Sequence, residues 1–212
     1  MSLLRRKITL VTPPAVEPVT LDEFKTFARI DSDDEDAALD AAITAARIAA
    51  ENYTRRAFIT QTWRLSLDLP PSGCESWFGE GVYDAPASIL TGSLPRLIRL
   101  LRPPVISITS VTTYDLDDDA TVTSSGDYRL DAATPALVLA YGATWPASLR
   151  AISALEIVTS NGYGASPADV PQPIRLAVMM HAQQIYETRG QCDYSTPPGC
   201  QAMLRAYRVE GL

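Results

Sequence analysis

The sequence lacks the residues and motifs on which most enzyme active sites depend. It has one histidine, His181, among 212 residues, and it contains no nucleophile elbow, phosphate-binding loop, dinucleotide-binding glycine pattern or zinc-protease motif. Because His181 falls on the apolar face of a predicted helix, we expect a hydrogen-bonded packing residue rather than a catalyst. The sequence therefore predicts no catalytic residue, no cofactor and no metal ion.

Cysteines are few and form no metal-ligand pattern. Cys74, Cys192 and Cys200 cannot all pair, so reduced thiols are the expectation. A Cys192–Cys200 disulfide closing the GQCDYSTPPGC loop is the alternative, and it requires oxidising surroundings.

Long apolar runs and an excess of positive charge are also missing. No run approaches the length of a membrane span, and SLLRRKITLV lacks the apolar core and cleavage site of a signal peptide, so we expect a cytoplasm-like compartment and no membrane. The net charge of −7 does not favour holding duplex DNA through its phosphates, although an acidic wall could surround DNA and leave it mobile. A DNA-binding module is disfavoured, since SLLRRK is the only short basic cluster.

The stretch 18–63 carries the clearest structural signals. Thr20 and Glu23 form a capping box for a first helix over Leu21–Arg29. A second capping box at Ser32 and Glu35 predicts a second helix from about Ser32 to Arg56. Its acidic first turn suits the helix dipole and needs no calcium to explain it.

The second helix has little polar surface. Its predicted core face comprises Leu39, Ile43, Ala46, Ala50 and Tyr53, and a narrow polar stripe comprises Asp40, Thr44, Arg47 and Glu51. Much of the remaining surface is covered by Ala38, Ala41, Ala42, Ala45, Ile48, Ala49 and Asn52. Two interpretations stay open: a central core helix within one chain, or a helix that packs on its own subunit and on a neighbour.

The rest of the chain predicts an α+β fold, with a long Ala-rich helix, a central antiparallel β region and a C-terminal helix with an extended tail. Strands are predicted from Ile59 and at 97–101, 106–114, 121–123, 128–131, 137–141 and 155–160, with a turn at Asp115–Asp119. The predicted division is an arm over 1–19, one domain over 20–190 and a tail over 191–212. Within that domain we predict helices over 20–56, a β region over 59–160 with an insertion loop at 70–93, and a helix over 172–189.

Several segments, taken in order, resemble the head–tail connector (adaptor) proteins of tailed bacteriophages and gene transfer agents. They are PVTLDEFKTFARID, DEDAALDAAITAARIAAENYTRRAFITQTW, LIRLLRPPVISITSVTTYD, LEIVTSNGYG, VPQPIRLAVMMHAQQIYETRG and LRAYRV. The resemblance implies a structural protein without catalysis. It also implies a ring, typically of twelve copies, between the portal protein and a stopper or tail-proximal protein. DNA would pass through the ring as cargo, and the protein would be in the bacterial cytoplasm during assembly and in the particle's head–tail junction afterwards.

Two sets of residues receive roles as hypotheses under this resemblance. Ala42, Ala45 and Ala49 are the candidate contact with a neighbouring subunit. Leu204, Tyr207 and Arg208 are the candidate portal-docking residues, because they combine apolar anchors with an arginine. The tail could instead pack back on its own domain.

The main alternative is an enzyme or small-ligand-binding domain with an unrecognised site. It predicts a deep pocket with converging polar groups around His181 or the Asp115–Asp119 turn.

Overall fold

The chain has the predicted α+β fold, built from helices and antiparallel strands. The computed structural model describes residues 5–69, 94–189 and 196–209. The predicted 70–93 loop lies outside the described residues, as do Cys74 and Cys192. Cys200 is described and is a buried, free thiol.

Two compact units are interleaved along the chain. The first comprises Met1–Thr12, Thr62–Leu101 and Val105–Ser160, and the second comprises Pro13–Gln61, Arg102–Pro104 and Asn161–Leu212. The predicted arm, single domain and tail follow the sequence order instead, and their boundaries stay predictions.

The first unit contains two sheets. A five-stranded sheet has the order β1-β2-β8-β4-β5, and a three-stranded sheet has the order β3-β7-β6. The arm residues contribute β1, which pairs antiparallel with β2 from Arg6↔Leu67 to Thr12↔Thr62. The strands are β1 Arg6–Thr12, β2 Gln61–Leu67, β3 Leu97–Arg99, β4 Val105–Tyr114, β5 Ala120–Val122, β6 Tyr128–Asp131, β7 Ala136–Leu139 and β8 Leu155–Asn161.

Alternating apolar residues of these strands form the core of the first unit. Leu155 and Ile157 of β8 are fully buried, as are Leu67 of β2, Val111 of β4 and Leu137 of β7. Burial follows the predicted period of two along β8, whereas β2 also buries Ser66 of its predicted wet face and β7 buries the consecutive residues Ala136 and Leu137.

The predicted Asp115–Asp119 turn joins β4 to β5. The Asp115 carboxylate accepts hydrogen bonds from the backbone N–H groups of Asp117 and Asp119, both at 2.9 Å. The Asp118 carboxylate lies 3.0 Å from the Arg150 guanidinium. Of the four acidic side chains in this turn, Asp115 is therefore bound by backbone N–H groups and Asp118 is paired with Arg150.

The described part of the second unit is mainly helical. Its helices are α1 Leu21–Ala28, α2 Asp36–Thr54, α3 Gln172–Thr188 and α4 Pro198–Leu204. The predicted capping box of α1 is present: Thr20 Oγ1 accepts from the Glu23 N–H at 3.2 Å, and Glu23 Oε2 accepts from the Thr20 N–H at 3.1 Å. A left-handed Arg55 ends α2, so this helix stops at Thr54 rather than Arg56.

The predicted capping box at Ser32 is wrong, and α2 begins four residues later. Ser32 Oγ donates to the Asp34 carboxylate at 2.7 Å, and the N-cap residue Glu35 makes no side-chain capping bond. The Glu35 carboxylate instead accepts from Tyr186 Oη and, at 2.7 Å, from Arg189. The Glu35 carboxylate therefore binds residues at the C-terminal end of α3 instead of forming the N-terminal cap of α2 that the local spacing predicted.

The core of the second unit lies between α2, α3 and α4. The predicted α2 face is confirmed at four positions, since Leu39, Ile43, Ala46 and Ala50 are buried, while Tyr53 is partly buried. The other buried core residues come mainly from α1, α3, α4 and the segment before β2: Phe24, Ile174, Ala177, Val178, Ala182, Cys200, Leu204, Phe58 and Ile59.

Candidate assembly surface on helix α2

Helix α2 turns most of its polar stripe inward. Arg47 and Glu51, predicted as part of that stripe, are only 7% and 5% exposed. Arg47 Nε lies 2.7 Å from Glu17 Oε2, Thr44 Oγ1 donates to Glu17 Oε1 at 3.0 Å, and Arg47 Nη1 lies 3.0 Å from Glu51 Oε2. Asp40 alone of the four stripe residues is exposed. The segment before α1 thus supplies a carboxylate that the sequence pattern did not connect to α2.

Glu51 is the most enclosed member of this network. Its Oε1 accepts hydrogen bonds from the Phe58 N–H at 2.9 Å and from Gln61 Nε2 at 2.8 Å, beside the Arg47 contact at Oε2. Burial raises the pKa of the Glu51 carboxyl, and the bonds from Phe58, Arg47 and Gln61 oppose that rise. The network fixes the rotation of α2 about its own axis, because each of these bonds requires residues 47 and 51 to point inward.

An apolar stripe faces outward as a consequence. Ala38, Ala41, Ala45 and Ile48 recur at intervals of three, four and three residues, which places them on one side of a helix. Ala38 and Ala41 are exposed, Ala45 is half-buried, and Ile48 is 46% exposed. We call these four residues the α2 stripe. A helix that buries an ion network and exposes alanines and an isoleucine has the reverse of the usual surface pattern.

The N-terminal end of the α2 stripe borders a small cavity. Glu35, Ala38, Ile185, Tyr186 and Arg189 line about 240 Å³. The hydrogen bond from Tyr186 and the ion pair with Arg189 lower the pKa of Glu35. These bonds hold the start of α2 against the end of α3, so the stripe is presented on an anchored helix.

The predicted neighbour-contact residues occupy two different environments. Ala42 is 4% exposed and belongs to the core of the second unit, whereas Ala45 and Ala49 are half-buried at its surface. Ala45 is the one member of this set that lies in the α2 stripe. The sequence pattern placed Ala38, Ala41 and Ile48 on the remaining surface of α2 but did not assign them to the neighbour contact. Their exposure depends on the inward direction of Arg47 and Glu51, which Glu17 and Gln61 fix.

The predicted portal-docking residues lie where the chain packs back on α2. Leu204 is fully buried in the core, Tyr207 is partly buried, and Arg208 is exposed over the Tyr53 ring, 5.3 Å from its centroid. The Val209 N–H donates to the Thr54 carbonyl at 3.0 Å. The sequence left open whether the tail docks on the portal or packs on its own domain. Residues 198–209 pack on their own domain.

The sites named by the enzyme alternative do not form a catalytic arrangement among the described residues. His181 is 2% exposed, its Nδ1 has no hydrogen-bond partner there, and burial lowers its pKa. Its packing role is confirmed, but the expected hydrogen bond is absent at Nδ1. A cavity of about 490 Å³ beside the Asp115–Asp119 turn is lined by Asp118, already paired with Arg150, and by residues 151–153.

The described ranges contain neither a cluster of metal-binding side chains nor an apolar helix of membrane-spanning length. In residues 5–69, 94–189 and 196–209, no three His, Cys, Asp or Glu side chains meet in a group that could hold a metal ion. No helix in those ranges has the length and apolar character needed to cross a membrane.

Comparisons with known proteins point to one class. A family model described as phage gp6-like head-tail connector protein matches residues 18–99. A chain in the neck of an empty gene transfer agent particle, computed with C6 symmetry, is 25% identical with a TM-score of 0.73, and the match covers 97% of each chain. Chains from a native gene transfer agent virion and from a native neck computed with C12 symmetry are each 24% identical, with TM-scores of 0.72 and 0.70. These two matches cover 97% of this chain and 96% and 97% of those chains. None of the curated proteins matches the chain.

Proposed function

We propose that this chain is a member of the head–tail connector family of tailed bacteriophages and gene transfer agents, and that it forms the adaptor ring between the portal and the stopper or tail. In this role it is a structural component of the head–tail junction and carries out no catalysis. Twelve copies surround a lumen through which DNA passes. The full-length resemblance to a neck protein and the C12 symmetry of a similar neck support this proposal.

The α2 stripe is the observation that carries the proposal. A monomer gains nothing by exposing Ala38, Ala41 and Ile48 while it buries Arg47 and Glu51, since burying a charge costs more than burying an alanine. A neighbouring subunit on the stripe removes this apolar surface from water. Small side chains also allow a second element to approach closely. The stripe is therefore the proposed contact between adjacent copies, with Ala45 near its centre.

Charge supports the proposed passage of DNA. A ring of chains that each carry a net charge of −7 repels the phosphate backbone rather than binding it. A polymer that must move through a channel requires a wall without strong attachment points.

The proposed portal contact uses the exposed part of the C-terminal segment. Leu204 is buried in the core of its own unit. Of the three residues in the docking hypothesis, only Tyr207 and Arg208 therefore have exposed surface that can contact the portal. Deleting 201–212 would remove a buried core residue together with the docking surface. Point substitutions at 207 and 208 are therefore the informative test of portal binding.

The experiment for the ring is assembly on the portal. The chain is mixed with the portal protein of the same particle, and the products are sized by mass photometry and viewed by negative-stain electron microscopy. Wild-type chain is expected to add a ring of density below the portal. Ala45→Glu and Ile48→Glu are expected to abolish that ring, because each places an unpaired carboxylate inside the contact.

A matched control separates assembly from folding. Ala147 is an exposed alanine of the first unit, so Ala147→Glu adds the same charge without touching α2. All three variants are expected to keep the wild-type circular dichroism spectrum and melting temperature. Normal rings from Ile48→Glu would refute the assignment of the α2 stripe, and the absence of any wild-type ring would refute the proposed function.

A further inference from the structure

The five-stranded sheet of the first unit ends in two dissimilar edges. Strand β1 lies at one end of the order β1-β2-β8-β4-β5, and β5 lies at the other. An edge strand presents unpaired backbone N–H and C=O groups and is a template for pairing with another chain. The two edges of one sheet are thus two surfaces with matching hydrogen-bonding chemistry.

The β1 edge is basic at one end and apolar at the other. Arg5 and Lys7 are exposed, and Leu10 and Val11 are 40% and 45% exposed. A strand guarded against pairing usually carries charges or proline along its length. Residues 8–12 contain neither, although the pairing with β2 shifts register between Leu10 and Thr12, so the regular and unguarded part of the β1 edge is residues 8–10.

The opposite edge of the sheet is uneven, because β5 is shorter than β4, and it is acidic. Strand β5 pairs with β4 only from Thr112↔Val122 to Tyr114↔Ala120, while β4 itself begins at Val105. All three residues of β5 are exposed, with Val122 at 68%, and Ile106 of β4 is 50% exposed. Among the described residues, β5 is therefore bordered by a stretch of β4 that has no partner strand on this side and is longer than β5 itself.

The turn beside this edge supplies the negative charge. Asp117 and Asp119 are exposed, and Leu116 between them and β4 is 72% exposed. This combination of carboxylates and an apolar side chain complements the arginine, lysine, leucine and valine of the β1 edge. It does not suit DNA, whose phosphates the carboxylates would repel.

We propose that β1 of one copy docks on the β4–β5 edge of the next copy, joining the sheets of neighbouring subunits edge to edge. This inference rests on the proposed ring and assigns it a second contact, separate from the α2 stripe. Each copy offers one edge of each kind, so the contact is heterologous and can repeat around a closed ring. Backbone hydrogen bonds supply the adhesion, and the opposite charges fix which edge meets which.

Cross-linking between copies tests the contact directly. Thr9 in β1 and Ser107 in β4 are both exposed. The variants Thr9→Cys, Ser107→Cys and the double variant are made with Cys74 and Cys192 replaced by serine. Cys200 is retained because it is 1% exposed. Each variant is assembled on the portal and treated with a long, flexible bismaleimide.

The double variant is expected to give a ladder of covalent oligomers on a denaturing gel. A mixture of the two single variants is expected to give dimers and nothing larger, and each single variant alone is expected to stay monomeric on the gel. Rings without a ladder would overturn this inference and leave the proposed function standing. Dimers from Thr9→Cys alone would also overturn it, since they would show β1 meeting β1.

Charge exchange provides an independent test. Arg5→Glu/Lys7→Glu and Asp117→Lys/Asp119→Lys are each expected to weaken assembly about tenfold at low salt, as two surface ion pairs become repulsive. The variant with all four substitutions is expected to assemble like wild type, because its edges are again complementary. A fourfold variant weaker than both parents would overturn the inference. If wild-type chain forms no rings, the proposed function falls and this inference falls with it.

Discussion

Removing the buried carboxylate of Glu51 is expected to destabilise the second unit severely. Glu51→Leu leaves three buried donors without their acceptor: the Phe58 N–H, the Gln61 amide and one N–H of Arg47. Breaking a buried ion pair by removing one partner costs about 3–5 kcal/mol. A domain-sized protein has about 5–15 kcal/mol of stability in total, so the variant should lose a large part of its free energy of unfolding.

The double variant Arg47→Met/Glu51→Leu is expected to recover part of this loss. It removes the stranded cation together with the carboxylate, and Glu17, whose side chain is 28% exposed, can turn to water. Replacing both members of a buried ion pair by apolar residues is often nearly neutral, so the double variant should be more stable than Glu51→Leu. Its loss should fall short of the summed losses of Arg47→Met and Glu51→Leu by about 0.5–3 kcal/mol. The rise in the Glu51 pKa agrees with this, because it shows that burial opposes the charge.

Urea denaturation with two signals measures the effect. Far-UV circular dichroism at 222 nm follows the helices of the second unit, and tryptophan fluorescence reports on the first unit through Trp63 and Trp145. The circular dichroism midpoint should fall in Glu51→Leu and recover partly in the double variant. A loss below about 1 kcal/mol in Glu51→Leu, or losses that simply add in the double variant, would refute the role given to the network.

The raised pKa of Glu51 predicts that the stability of the folded protein falls as the pH rises. Because its folded pKa is raised, the folded state holds the proton to higher pH than the unfolded state, whose carboxyl titrates near pH ~4.3. This contribution to stability is complete below that pH and is lost as the pH rises through the folded pKa. Glu51→Gln should remove that decline, and an unchanged slope against pH would contradict the assignment.

Two further predictions concern the other sites. His181 has a lowered pKa in its buried position, so the folded protein should lose stability as the pH falls below about 6.5, and His181→Leu should flatten that loss in urea titrations between neutral and mildly acid pH. An equal slope in both proteins would show that His181 does not titrate there. Arg208→Glu should weaken portal binding about tenfold or more in a pull-down without lowering the melting temperature. The neighbouring exposed Arg205→Glu is its matched control, and equal weakening by both would mean that general charge, not Arg208, is responsible.

Local signals in the sequence predicted most of the secondary structure. The capping box at Thr20, the strand at residues 61–67 and the turn at Asp115 each depend on residues close in the chain, and each is present. The four-three spacing of α2 also identified its core face, because that face is set by helix geometry alone.

Long-range contacts account for what the sequence did not predict. Ser32 fails as a cap because Glu35 binds Tyr186 and Arg189, more than 150 positions away. Arg47 and Glu51 look like solvent-facing residues until Glu17 and Gln61 are placed beside them. The outward direction of the α2 stripe follows from that pairing, so spacing within the helix could not reveal it.

The interleaving of the two units has a consequence for how such genes change. Three segments of one unit alternate with three of the other, so no single break in the chain separates them. A recombination event inside the gene would combine parts of both units from two parents and mismatch both cores. Exchange between related particles is therefore expected to transfer this gene whole, and limited proteolysis is expected to release no intact unit.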